Sequence, residues 1–337
     1  MKLLSLLLAA SLTFIQATEQ QVWDAANALR SKAAYPEAAA AFEAFPAQFP
    51  QSTRATQALI EAGVCWFSGA RSAQVMRRNT PEAEARFAKG LALFDRVIAE
   101  HPKEPIASRA AHMRGSTFLF SGRLAEAELA YSRVLEELAF DPSYVEKALE
   151  YRANTRRHLL KTGLALADFE RFLREFPKSQ RADSLKKTLE IARTLDKPAP
   201  PYAPEQWISG DPTPLELQSG HVVALYFWAT WCTNCAKEQP FLLDLVKRYT
   251  PKGVVFVGVT DHQQGQSADQ VKKHVAQHGY TFPVFQDAGA TSLAYKVASI
   301  PHLVLIDREG KVRWSDNPAN LCEATLDAIL AAEPHGK

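Results

Sequence analysis

A proline-rich segment at residues 197–204 separates two parts of the chain whose hydrophobic patterns differ. Its sequence, KPAPPYAP, holds four prolines in eight residues, a composition typical of a semi-rigid linker. Before it, apolar residues recur with the period of helices, and after it short apolar runs alternate with helical patterns. Because 337 residues suffice for two ordinary domains, we predict two domains joined by a linker at residues 197–206.

Residues 18–196 have the composition of an all-α domain. They are rich in Ala, Leu, Glu and Arg and poor in β-branched residues. A pattern of a small residue, an aromatic residue four positions later and an apolar residue three positions after that marks one face of a helix. It occurs at Ala38, Phe42 and Phe45, at Ala127, Tyr131 and Val134, at Ala165, Phe169 and Phe172, and more loosely at Gly90, Phe94 and Val97.

The small residues of this pattern are separated by 52, 37 and 38 positions, and prolines follow several copies. The arrangement resembles the tetratricopeptide (TPR) repeat, which has a period of about 34 residues and paired antiparallel helices. Residues 69–80 look like an insertion within it. The resemblance implies a stack of helices that recognises a protein ligand, and a purely structural spacer is the alternative that stays open.

The first 17 residues have the pattern of a secretion signal. Lys2 precedes an apolar run that continues to Ile15, and Ala17 is the expected last residue of the leader, although Ile15 fits the cleavage rule poorly. An uncleaved anchor or a first core helix is the alternative interpretation. Export predicts a periplasmic or secreted protein in an oxidising compartment, where cysteine pairs can cycle.

The charge balance argues against a dedicated nucleic-acid binder. The chain has 39 basic and 37 acidic residues and a net charge of +2, which leaves no large excess of cations to offset phosphates. Its four cysteines are too few for a fold of this length to be stabilised mainly by disulfides. Their placement is therefore more informative than their number.

Residues 207–334 combine strand and helix signals, which predicts an α/β domain with a mixed central sheet and flanking helices. Buried strands are predicted where the apolar residues are continuous, and a hairpin where the turn signal Arg308-Glu309-Gly310 separates two short runs. The predicted strands are residues 222–228, 254–260, 303–307 and 311–314, and the predicted helices are residues 233–249, 267–278 and 320–332.

The pair Cys232 and Cys235, in the sequence WCTNC, lies between a predicted buried strand and the start of a helix. Two cysteines at this spacing in a first helical turn can close a disulfide. The free N–H groups and partial positive charge of the helix N-terminus favour a thiolate at Cys232 and lower its pKa, which makes it the attacking group. Cys235, one turn further, would resolve a mixed disulfide.

Other uses of this cysteine pair can be weighed. A zinc site would need two more ligands at similar spacing, and a c-type haem site would need histidine at position 236, which is alanine. A purely structural disulfide stays open as an alternative. We expect no metal and no cofactor.

Residues 227–235, FWATWCTNC, resemble the active-site segment of the thioredoxin superfamily, in particular its TlpA/ResA-like branch. The resemblance covers about residues 207–332. Pro240 matches a kinking helix proline, and residues 282–284, Asp287 and residues 305–312 match the neighbouring strands. The resemblance implies a thioredoxin-like fold and thiol–disulfide oxidoreductase activity.

The resemblance also implies roles for residues around the cysteines. Glu238 matches a buried acid that passes protons as thiols form and break, although an ordinary exposed helix glutamate is the alternative. Ser299-Ile300-Pro301 matches a loop whose cis-proline faces the disulfide and whose edge pairs with a substrate segment. Trp231 is expected to shield the disulfide from water and to contact the substrate.

Several positions depart from the family pattern or lie outside it. Tyr226 stands where thioredoxin has an aspartate, which places more weight on Glu238. The residues between the two cysteines lack the proline common in relatives, so the redox potential is not predicted. His302 is either a titrating group near the cysteines or simply the first residue of a strand. Cys65 and Cys322 are expected to be buried, inert thiols, with an interdomain disulfide between them as the alternative.

These observations predict an exported thiol–disulfide oxidoreductase that acts on disulfide- or dithiol-bearing exported proteins and draws electrons from a membrane donor. Its helical repeats would select protein partners. The alternative is a TPR-type binding scaffold on which the thioredoxin-like fold is inactive or auxiliary. A peroxidase is disfavoured because the Pro-x-x-x-Thr/Ser-x-x-Cys setting is absent upstream of Cys232.

Overall fold

The computed structural model of the protein describes residues 17–215 and 219–332. The predicted leader, residues 1–17, therefore lies outside the described residues apart from its last position. Within these ranges, no helix combines the length and the apolar character needed to cross a membrane.

The N-terminal domain is all-helical in its described part, and each helix packs against the next one along the chain. Prolines occupy the first position of three helices, where a missing N–H costs nothing, and Thr18 begins α1 with a capping box that includes Gln21. The helices are Glu19–Ser31 (α1), Tyr35–Gln48 (α2), Ala55–Ala73 (α3), Pro81–Glu100 (α4), Pro105–Phe120 (α5), Leu124–Glu136 (α6), Pro142–His158 (α7), Thr162–Glu175 (α8) and Ala182–Ala192 (α9).

The residues of the predicted repeat pattern form the interior of this domain, because all of them are buried. Small residues let the helices approach closely. A methyl group added at Gly63 on α3 would lie 2.5 Å from the ring of Phe94 on α4, and one at Gly115 on α5 would lie 2.6 Å from Tyr131 on α6. The predicted helical domain is confirmed, and its assignment to the TPR family stays a prediction.

The C-terminal domain contains one mixed six-stranded sheet with strand order β1-β4-β3-β2-β5-β6. β2, β3 and β4 are parallel, whereas β1 and the β5–β6 hairpin run antiparallel to their neighbours. The strands are Gln206–Ser209 (β1), Val222–Phe227 (β2), Val254–Asp261 (β3), Val284–Asp287 (β4), His302–Ile306 (β5) and Val312–Asp316 (β6), and the helices are Thr233–Tyr249 (α10), Ala268–His278 (α11), Ala290–Ala294 (α12) and Glu323–Ala331 (α13).

The chain around the predicted linker is hydrogen-bonded to the hairpin of the second domain, and the assignment of residues 197–206 as a linker stays a prediction. The N–H of Asp196 donates to Val312 O at 2.8 Å, and the N–H of Ala199 donates to Gly310 O at 2.8 Å. The first strand, β1, was not predicted and begins inside the expected linker at Gln206.

The two domains contact each other through the last turn of α7. Arg157, which is only 3% exposed, donates to Ser315 O at 2.6 Å and to Asp316 Oδ2 at 3.0 Å. The next residue, His158, is hydrogen-bonded to Thr325 Oγ1 at 2.9 Å. Beside these contacts lies a cavity of about 520 Å³ that residues of both domains line. The helical domain is therefore docked onto the β6 edge and α13.

Candidate active site

The central strand of the sheet delivers Cys232 to the N-terminus of a helix. All six residues of β2 are buried, as expected for a strand covered on both faces. The chain then turns, and Cys232 is the N-cap of α10, where the N–H of Cys235 donates to Cys232 Sγ at 3.1 Å. The predicted helix, residues 233–249, agrees with the observed one. The sulfur thus lies where helix amides and the helix dipole favour an anion.

Cys232 and Cys235 form a disulfide with a Cα–Cα distance of 5.2 Å. Both residues are largely buried, but Cys232 is 8% exposed and Cys235 3%. Cys232 is thus the more exposed residue of the pair, and its role as the attacking group stays a prediction. Thr233 and Asn234, between them, are both exposed.

Trp231 is 38% exposed and stands directly before the disulfide. Its Nε1 donates to Gln263 O at 3.2 Å, in the loop after β3. This hydrogen bond holds the indole ring against a neighbouring loop, and part of the ring stays exposed to solvent. The position suits the predicted contact with a substrate chain, which stays a prediction.

A buried glutamine, Gln266, holds the loop that precedes Cys232. Its Oε1 accepts from the N–H of Thr230 at 3.0 Å and from the Thr230 hydroxyl at 2.8 Å. Its amide nitrogen donates to Thr260 Oγ1 at 2.6 Å. The sequence patterns did not single out Gln266, because its partners lie on a separate loop and strand.

The Ile300–Pro301 peptide bond is cis, as the family resemblance implied. Pro301 is buried and Ser299 is exposed. Ile300 packs against the hydrophobic cluster that contains both cysteines. The loop therefore packs on the cluster that includes the disulfide and exposes Ser299, whereas its position facing the disulfide and its pairing with a substrate segment stay predictions.

His302 is the first residue of β5, which is the structural interpretation of the two that the sequence left open. Its Nε2 is hydrogen-bonded to Ser315 Oγ at 2.9 Å, in the next strand. Burial is the main cause that lowers the pKa of this imidazole. At neutral pH the ring is therefore uncharged, and its hydrogen bond joins β5 to β6.

Glu238 lies three residues after Cys235, on the same side of α10. The resemblance implied a buried acid here, with an exposed helix glutamate as the alternative, and in the structure the carboxylate forms an ion pair with Arg77 of the helical domain. The side chain is 18% exposed. No sequence pattern indicates this partner, which lies in the predicted insertion at residues 69–80, 161 positions before Glu238.

Tyr226, which replaces the aspartate of thioredoxin, is fully buried in β2. Its hydroxyl has no hydrogen-bond partner among the described residues. Burial raises the pKa of Tyr226 above its ordinary value, and the neighbouring Tyr280 and the negative charge of Glu238 raise it further. The strand beneath the cysteines is therefore neutral, and Glu238 is close enough to act on it electrostatically.

The other two cysteines are free thiols, so the alternative of a disulfide between them is not realised. Cys65 is buried in α3, and burial raises the pKa of its thiol to about 11. Cys322 is only partly buried, lies just before α13 and lines the interdomain cavity. Burial also raises the pKa of Cys322, which keeps it a weak nucleophile.

The arrangement supports exchange between a dithiol and a disulfide. It joins a disulfide at a helix N-terminus, an exposed tryptophan and a cis-proline loop that exposes Ser299. Within residues 17–215 and 219–332, no group of three or more His, Cys, Asp or Glu side chains could hold a metal ion.

Comparisons with known proteins find relatives of the C-terminal domain. The Redoxin family matches residues 195–330. Thiol-disulfide oxidoreductase ResA of Bacillus thuringiensis strain Al Hakam is 38% identical over 106 residues, which are 31% of this chain and 60% of the relative. ResA of Bacillus thuringiensis subsp. konkukian is 35% identical over 126 residues, 37% of this chain and 70% of the relative.

A solved structure of a thiol-disulfide isomerase from Corynebacterium glutamicum is 20% identical to the chain. It covers 41% of this chain and 100% of its own, with a TM-score of 0.38. The chain spans about 60% of the length of the first relative above, and residues 18–194 lie outside the family match. Through its C-terminal domain, the chain belongs to the ResA-like thiol–disulfide oxidoreductase family of the thioredoxin superfamily.

Proposed function

We propose that the protein is an exported thiol–disulfide oxidoreductase that reduces or exchanges disulfides of partner proteins through Cys232 and Cys235. One observation carries the proposal: the two sulfurs are bonded at the N-terminus of α10, and Cys232, although largely buried, is the more exposed residue of the pair. The ResA relatives support the same activity for this domain.

In the reducing direction, the Cys232 thiolate attacks one sulfur of a partner disulfide. A mixed disulfide forms while the other partner sulfur leaves as a thiolate and takes up a proton. The Cys235 thiol then loses its proton and attacks Cys232, which releases the second partner thiol. Two electrons and two protons pass to the partner, and a dithiol donor must reduce the Cys232–Cys235 disulfide again.

The N–H of Cys235 stabilises the Cys232 thiolate that begins the first step, because it points at that sulfur. We propose that Glu238 accepts the Cys235 proton, directly or through water. Its place one helical turn after Cys235 supports this role. Ile300 and Ser299 would pair with the extended partner segment, and Trp231 would contact it.

Reduction of insulin by dithiothreitol tests the activity. The wild-type protein is expected to accelerate the precipitation of reduced insulin, and Cys232→Ser is expected to fall to the uncatalysed rate. Cys322→Ser is the matched control, since this thiol lies outside the disulfide, and it should retain wild-type turnover. If Cys232→Ser matches the wild type, the protein is better described as a binding scaffold with an inactive thioredoxin-like domain.

Export and the identity of the partners are part of the proposal. The basic and apolar pattern of residues 1–17 supports export, which makes exported proteins the substrates and a membrane dithiol carrier the electron donor. Fusion of these residues to an alkaline phosphatase that lacks its own leader should give an active phosphatase. An inactive fusion that accumulates in the cytoplasm would contradict export.

For the helical domain we propose TPR-like repeats that bind a protein partner. The odd-numbered helices α3, α5, α7 and α9 share one face, because all four contribute to the wall of the interdomain cavity. Their contributions include Arg71, Leu119, Tyr151 and Thr188, and the opposite wall includes Cys322. A partner segment held there would lie against the oxidoreductase domain.

A further inference from the structure

A tight turn projects from the helical domain between α3 and α4. Val75 and Arg78 pair as an isolated bridge, with Val75 N donating to Arg78 O at 3.0 Å and Arg78 N donating to Val75 O at 2.9 Å. The two residues between them, Met76 and Arg77, have left-handed φ angles of 47° and 62°. Asparagine and glycine are the residues usually found in such a turn. Residues other than glycine and asparagine are strained at such φ angles, and strained residues of this kind cluster at functional sites.

The guanidinium of Arg77, at the tip of this turn, reaches across to the other domain. It forms an ion pair with Glu238 of α10, and its Nη1 donates to Pro318 O at 2.7 Å. Its Cζ lies 3.9 Å from the ring centroid of Phe241, one turn further along α10. A carboxylate, a carbonyl and an aromatic face therefore fix the guanidinium in one place.

The ion pair lies at the candidate active site. Glu238 is on the side of α10 that carries Cys235, and its charge reaches the buried Tyr226. A further charged group lies near the pair: Arg71 of α3, whose pKa is lowered by burial and by the charge of Arg77. The local field at the cysteines thus depends on a residue that the oxidoreductase domain does not contain.

We propose that Arg77 is a positioning residue for Glu238, so that docking of the helical domain completes the thiol–disulfide exchange site. Arg77 touches neither sulfur in this account and acts through the carboxylate. The inference deepens the proposed function and rests on it. It assigns the helical domain a part in the chemistry in addition to any role in partner binding.

The same turn supplies a matched control. Arg78 forms an ion pair with Asp244 at 2.7 Å, six positions after Glu238 along the same helix. Arg78→Gln removes one interdomain ion pair of the turn without touching Glu238. If the turn only docked the domains, the two arginines would be equivalent.

The test is the pH profile of Cys232 alkylation by iodoacetamide in the reduced protein. In Arg77→Gln, the carboxylate of Glu238 loses its compensating cation and disfavours a nearby thiolate. The midpoint of the profile should move to higher pH, with a rate at neutral pH about three- to tenfold below that of the wild type. Glu238→Gln should move the midpoint to lower pH, because Arg77 is then the uncompensated charge.

Three further variants complete the test. The double variant Arg77→Gln/Glu238→Gln should return close to the wild-type profile, Arg77→Lys should retain it, and Arg78→Gln should leave it unchanged. Should Arg77→Gln not fold, Glu238→Gln and Arg77→Lys examine the same ion pair with side chains of similar shape.

Three results would overturn the inference. They are an unchanged profile in Arg77→Gln, equal shifts in Arg77→Gln and Arg78→Gln, or a shift in Arg77→Gln that persists in full when Glu238 is already glutamine. In each case insulin reduction that still depends on Cys232 would leave the oxidoreductase function in place. Loss of that dependence would instead remove the proposed function itself.

Discussion

Replacing Arg157 with methionine should weaken the docking of the two domains. The arginine is 3% exposed, and its guanidinium donates to Ser315 O, Asp316 Oδ2 and Asn154 Oδ1 at distances of 2.6 to 3.0 Å. Two of these three bonds cross from one domain to the other. Methionine keeps most of the apolar stem of the side chain, so the loss is mainly electrostatic.

The size of the effect follows from the surroundings of the partners. Breaking a buried ion pair costs about 3–5 kcal/mol, because it leaves an uncompensated charge. Asp316 is 27% exposed and can be partly hydrated. We therefore expect a loss of free energy at or slightly below the lower end of this range, about 2–3 kcal/mol. Such a loss increases the undocked population by a factor of about 30 to 150.

Amide hydrogen exchange in β6, together with urea unfolding, measures this loss. The amides of Ser315 and Asp316 should exchange faster in Arg157→Met by the factor given above, and the free energy of unfolding should fall. Arg78→Gln is the comparison, since Arg78 is 40% exposed in its ion pair and should contribute less than about 1 kcal/mol. Exchange and stability within about 0.5 kcal/mol of wild type in Arg157→Met would refute the reasoning.

Two further predictions concern the helical domain. Burial lowers the pKa of His158 from 6.5 to about 4, so the unfolded chain takes up this proton first as the pH falls. The stability contributed by the neutral ring is complete above pH 6.5 and falls by about 3 kcal/mol towards pH 4. Urea unfolding should show a shallower fall with pH in His158→Gln, and an identical slope would contradict the assignment. Gly115→Ala should lower the free energy of unfolding by about 2 kcal/mol, because the added methyl group meets the buried ring of Tyr131, while Gly163→Ala, in open space, should be neutral or slightly stabilising. Equal stability of the two alanine variants would show that α5 and α6 are not in close contact.

The sequence predicted those parts of the structure that depend on local pattern. The helix at residues 233–249 has a clear apolar period, and the structure places it at Thr233–Tyr249. The two cysteines form the predicted disulfide, and the bond before Pro301 is cis. These features are encoded within a few positions of one another, so a single sequence reveals them.

Features that depend on distant contacts were not predicted. β1 is a four-residue, largely unburied edge strand whose partner β4 lies about 80 positions later, so its own sequence shows no alternation. The ion pair of Arg77 joins residues 161 positions apart, and nothing near Glu238 indicates it. The prolines at residues 197–204 indicate a linker, and no pattern in this segment indicates that the amide of Ala199 bonds to the hairpin.

The account depends most on the claim that Cys232 and Cys235 cycle between dithiol and disulfide. Equilibration of the protein with thiol–disulfide buffers, followed by alkylation of the free thiols and counting of the alkylated cysteines by mass, measures this directly. We predict one two-electron transition, in which the ratio of the two forms changes tenfold for about 30 mV, in the wild type and in Cys322→Ser but not in Cys232→Ser. A disulfide that excess dithiothreitol does not reduce in the folded protein, or a transition that Cys232→Ser leaves intact, would contradict the claim.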